Sequence, residues 1–263
     1  MSATALRRAV HAEWTKLRTD TGHAWLLLGL VAVTASVSAA VAATARCPAD
    51  GCGQDPVRLS LTGVTLGQTI AAIVAVLVVG HEYGTGLIHT TLGAVPRRTT
   101  VLIAKAAVVS GVVCAAGTVA VLASVLAGQH LLPGNGFTPA HGHAVLSLAD
   151  GPVLRAAAGS VIYLVLVALL ALGVATAVRD AAVSTGLVLG LLYLFPLLSH
   201  VVADPGVRRH LEQIGPMPAG LAVQATTGLD RLPIGPWAGL GVLALWAAGA
   251  LLVGGAVLRL RDA

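Results

Sequence analysis

Charge is what this sequence has least of. Only 10% of its 263 residues are Asp, Glu, Lys or Arg, against 56% hydrophobic, and the mean hydropathy is +0.87. So little polar residue cannot coat a soluble globule of this length, which predicts a protein of the bilayer. Lysine is nearly missing. Lys16 follows Thr15 and Lys105 follows Ala104, so there is no Gly-Lys pair of the kind that cradles nucleotide phosphates, and an ATP site inside this chain is excluded. Three cysteines are too few for a disulfide scaffold or a four-ligand zinc site. Cys47 and Cys52 bracket the loop "CPADGC" and are either bridged or two free thiols, whereas Cys114 lies in an apolar run and is expected to pack. The formal charge of +5 does not point to nucleic acid, because the bases are scattered at the ends of apolar runs and form no basic face.

Other chemistries are absent too. No apolar run carries Asp, Glu, Lys or Arg at its centre, which disfavours transport coupled to a proton or sodium gradient. "HEYGT" is not a zinc-binding HExxH, since its fifth residue is Thr85, and no serine stands in a nucleophile-elbow sequence. Ser110 and His200 lie toward opposite ends of different runs and make a poor dyad. The loop containing His130, His141 and His143 has no cysteine or convergent carboxylates, so it reads as an ordinary turn-rich connection. We therefore expect no enzymatic site, no metal and no cofactor in this chain.

What is present is a series of six apolar runs, about 24–45, 61–80, 101–127, 155–178, 181–203 and 237–258. Each is long enough to cross about 30 Å of hydrocarbon at 1.5 Å per residue, and in lipid a helix is the way to satisfy its backbone. The fold class expected is an all-α integral membrane protein with six transmembrane helices and a single domain over 1–263. The first run is too long for a secretory signal core, and five more follow it.

Six spans put both termini on one side, which carries ten Lys and Arg against six opposite. The positive-inside rule makes that side cytoplasmic. Ahead of the first span, "ALRRAVHAEWTKLRTD" places Leu6, Val10, Trp14 and Leu17 at helical spacing, with Glu13 and the bases largely elsewhere. This predicts an amphipathic interfacial helix over about 4–19. Pro196 is expected to kink the fifth span, and the Pro- and Gly-punctuated residues 204–236 fit short helices at the external face.

Residues 81–105, "HEYGTGLIHTTLGAVPRRTTVLIAK", interrupt this pattern. The second span ends at His81-Glu82, Gly84 and Gly86 break the backbone, Pro96 stops a short segment, and Lys105 is expected to snorkel outward from the third span. The residues alone leave two readings: a short helix parallel to the membrane offered to a partner, or a turn with a basic anchor.

The pattern "EYGTGLIHTTLGAVPRR…AK", with "AEWTKLRT" before it and "LPGNGF", "LSLADGP" and "GPMPAGLAVQATTGLDRLPIGPW" after it, resembles the permease subunits of bacterial ABC transporters of the type-2 exporter class. The resemblance implies a coupling helix within about 81–98 that docks on a separate cytosolic ATP-binding cassette subunit, which would hold ATP and Mg. It also implies short external helices before the last span and a second permease copy, with export by alternating access across the bacterial plasma membrane. On it, Glu82, Tyr83, Thr85, His89, Thr90, Arg97 and Arg98 are the candidate ATPase contacts. The alternative is a membrane scaffold or sensor that recruits a cytosolic partner through the same segment.

Overall fold

The computed structural model of the chain describes residues 3–48, 53–87, 98–139 and 146–260. Among the described residues there are ten α-helices and no strand. Helix α1 (Ala3–Thr19) precedes the first apolar helix, α2 (Thr21–Thr44). A one-turn helix α3 (Pro56–Ser60) leads into α4 (Val64–Gly84), followed by α5 (Arg98–Leu131), α6 (Gly151–Val178) and α7 (Ala181–Val201). Two short helices, α8 (Pro205–Ile214) and α9 (Pro216–Leu221), come before α10 (Pro236–Leu260). Six of these, α2, α4, α5, α6, α7 and α10, are long and apolar enough to cross a membrane. The chain is a multi-pass, all-α membrane protein.

Helix starts follow a simple rule. Five of the eight aspartates, at positions 20, 55, 150, 180 and 204, stand at N-caps. In four of them the carboxylate accepts from a backbone N–H of the first turn, at 2.8 Å for Asp20 on Gly22 and Asp180 on Val183. The "VRD" turn between α6 and α7 closes in two residues because Arg179 adopts a left-handed φ of 66°.

The spans match the expected positions within a few residues, with two corrections. Helix α5 runs 34 residues, about 51 Å at the usual rise, so it must tilt or project beyond the hydrocarbon. Its polar ends, Arg98 to Thr100 and Gly128 to His130, stay helical although they are not apolar. Cys114 was expected to pack inside, but it is a free thiol on the exposed face of α5.

Helix α6 is the most buried span and the centre of the bundle, packed chiefly on α10 and α4; α2 and α7 are the least covered. The α6–α10 approach is close because glycines face each other. A Cβ at Gly173 would lie 2.5 Å from the Ala250 backbone, and one at Gly254 would lie 2.6 Å from the Gly173 carbonyl oxygen. Small residues are how helices gain contact where water supplies no drive between them.

Helix α9 and the 3₁₀ turn Ala222–Gln224 fold back into the bundle. Gly220 lies against the ring of Tyr163, and Gln224 donates to Ser160 at 3.1 Å. At the same end, Asn135 donates to the Ala42 and Ala43 carbonyls (2.9 and 3.1 Å), closing the C-terminus of α2. Asp55 accepts from Thr226 Oγ1 at 2.8 Å and from the Thr227 amide at 3.1 Å, tying the connection before α3 to the one before α10. Pro196 lies within α7, which continues to Val201.

Candidate functional site

At the end of the bundle that carries the termini, both lysines of the chain meet two of its three glutamates. Lys105 Nζ, near the start of α5, lies 2.7 Å from Glu13 Oε2 and 2.8 Å from Glu82 Oε1, and also donates to the Val78 carbonyl at 3.3 Å. Lys16 Nζ lies 2.9 Å from Glu13 Oε1 and 2.7 Å from Glu82 Oε1. Glu13, Glu82 and Lys105 are only 6%, 5% and 4% exposed, while Lys16 forms the wetter edge. The four charges thus clamp α1 to the end of α4 and the beginning of α5.

This arrangement revises two sequence expectations. Lys105 does not snorkel: two carboxylates and a carbonyl satisfy its ammonium inside, so reaching for water would gain nothing. Glu13 is not on a solvated face of α1. Ala9, Glu13 and Leu17 follow one another at intervals of four and turn toward the bundle, whereas Trp14 remains 45% exposed. Burial alone would lower the pKa of Lys16, but the Glu82 and Glu13 carboxylates outweigh it and hold the ammonium above its ordinary value. In the neighbouring turn, the Gly22 amide and then His23 hold the Asp20 carboxyl below its ordinary range against a little burial.

The other candidates from this segment divide. Tyr83 is half-buried, with the Arg179 guanidinium 5.5 Å from its ring centroid. Arg98 donates to the Leu258 carbonyl at 2.8 Å, and Arg179 to the Val257 carbonyl at 3.3 Å, so both arginines close the C-terminus of α10. Thr85 is exposed; its hydroxyl donates to the His81 carbonyl at 2.7 Å. His89, Thr90 and Arg97 lie outside the described residues, as does Cys52. Cys47 is disulfide-bonded.

Sequence reasoning passed over a second polar group. Gln68, fully buried in α4, donates to the Met217 sulfur at 3.2 Å and accepts from the Tyr163 hydroxyl. Nearby, Tyr193 donates to the Thr65 carbonyl at 2.9 Å and shares a 2.8 Å contact with Thr69. A lone glutamine in an apolar run gives no sign of its partners, which lie 95 and 149 residues further along the chain.

A cavity of about 280 Å³ opens beside the four-charge cluster, between α1, α2, α4 and α5. The sequence matches no protein-family model and no curated protein.

Proposed function

We propose that the chain is the membrane-spanning subunit of an ATP-driven exporter, working as a pair of copies on a separate ATP-binding subunit. The observation that carries this reading is the clamp of Glu13, Lys16, Glu82 and Lys105. The segment that resembles a coupling helix joins the end of α4, two residues past Glu82, to the start of α5 at Arg98. A push delivered there would reach α4 and α5 through the backbone and α1 through buried ion pairs, and Arg98 would pass it to the end of α10. Stiff, buried ion-pair contacts of this kind suit a transmission point between a motor and a membrane domain. In this reading ATP and Mg stay on the partner, the termini are cytoplasmic, and the docking face consists of Thr85 and the residues up to Arg97. Glu82 serves as an internal strut.

The second copy has a natural place. Helix α7 is mostly uncovered, and Ala182, Gly186 and Gly190 form a small-residue stripe on its open side, with nothing near a Cβ at either glycine. The test is co-expression of tagged protein with the ATP-binding subunit encoded nearest to it, followed by purification in mild detergent. Wild type should bring the ATPase down, and Thr85→Arg combined with Arg97→Glu should lose it while keeping the wild-type melting temperature. An ATPase that never co-purifies with folded protein would overturn the reading in favour of a scaffold.

A further inference from the structure

The cavity beside the charge cluster holds two buried acceptor atoms that the described protein leaves unused. Glu82 Oε1 takes both lysines, yet its Oε2 is buried and has no hydrogen-bond partner among the described residues. His23, 7% exposed near the start of α2, presents Nδ1 to Asp20 Oδ2 at 2.8 Å. An ionised carboxylate can only accept, so Nδ1 carries a hydrogen, and the tautomer with that one hydrogen turns a lone pair outward at Nε2. That atom is also buried without a partner among the described residues. Both side chains line the same cavity.

The charge there points the same way. Among the described lining residues, the carboxylates of Glu13, Asp20 and Glu82 face the ammoniums of Lys16 and Lys105, three negative groups against two positive. The rest of the wall is largely apolar, with Leu17, Leu77 and Val108 among its residues. A volume of about 280 Å³ is far more than the 10–15 Å³ or so that one water needs. No group of three or more His, Cys, Asp or Glu among the described residues could hold a metal ion. The cavity is therefore suited to one positive charge that brings its own N–H donors and some hydrocarbon.

We propose that this cavity binds a primary ammonium group, donating to Glu82 Oε2 and His23 Nε2 while its carbon chain lies against the apolar wall. Such a group can arrive on an ethanolamine lipid, through the rim where α1 joins the spans, or on a free amine from solution. A choline headgroup carries the same charge but has no N–H to give, so it should not substitute. The inference is independent of what the chain transports or whether it transports at all.

The test is native mass spectrometry of the full chain in mild detergent, titrated with dioleoyl phosphatidylethanolamine, dioleoyl phosphatidylcholine or free ethanolamine. The ethanolamine lipid should bind at least about tenfold more tightly than the choline lipid, the scale of one lost charge-assisted hydrogen bond. His23→Phe should abolish that preference, and His23→Gln, which keeps an acceptor, should retain part of it. If ethanolamine binds free but not on the lipid, and His23→Phe removes that binding, the site stands with a soluble ligand. Equal binding of the two lipids by wild type without binding of free ethanolamine overturns the proposal, as does an ethanolamine preference that survives His23→Phe. The wild-type comparison needs no variant to fold.

Discussion

Lys105 is the residue on which the terminal end of the bundle depends. Removing one partner of a buried ion cluster leaves two carboxylates to share Lys16 alone, so Lys105→Met should destabilise by about 3–5 kcal/mol. Adding Glu13→Gln should recover much of that loss, because the orphaned charge goes with it; thermal unfolding in detergent micelles measures both. Lys16 supplies a pH signature. Its folded pKa is raised, so its contribution is complete below the ordinary value of 10.5 and is lost as the pH climbs through the higher folded value. The melting difference between wild type and Lys16→Met should accordingly be flat through neutral pH and disappear only in strong alkali. For Asp20, whose pKa is lowered, the sign is opposite: its share is present above 3.8 and fades as the pH falls through the lower folded value. Deeper in the bundle, Tyr163→Phe strands the Gln68 carbonyl oxygen and should cost about 1–3 kcal/mol. The double variant Tyr163→Phe, Gln68→Leu should melt closer to wild type than the single one, since it removes both polar ends.

Among the elements, the pair α6 and α10 decides whether the bundle closes. Gly173 and Gly254 place backbone against backbone, and no side-chain rotation can make room for an added methyl there. Gly173→Ala should destabilise by about 1–3 kcal/mol, whereas Gly241→Ala and Gly249→Ala, on the open side of α10, should leave the melting temperature nearly unchanged. Comparing the three by thermal denaturation separates close packing from helix propensity, because each replaces glycine inside a helix. Helix α9 depends on a similar contact, since a Cβ at Gly239 would collide with the Ala219 carbonyl. Its folded-back course puts irregular backbone where the surrounding protein covers it, as a lipid environment requires.

At the scale of the molecule, the number, order and approximate ends of the spans were legible in the sequence, because a bilayer imposes one length and one polarity on every crossing. What sequence could not show was the partnership of Glu13, Lys16, Glu82 and Lys105, whose members are 66 and 92 residues apart across the clamp. A single charged residue near a span end reads as an anchor, and only the packing of α1 on α5 turns Glu13 into a buried counter-ion. Cys114 failed for a related reason: an apolar run does not say which of its faces meets lipid. The central claim is that this chain transmits work from a separate ATPase into the membrane. The most direct measurement is ATP hydrolysis by the partner ATPase in proteoliposomes with wild type, with Thr85→Arg plus Arg97→Glu, and without this chain. The account predicts hydrolysis that rises several-fold with wild type and falls back to the isolated rate with the variant. Equal rates in all three would contradict it.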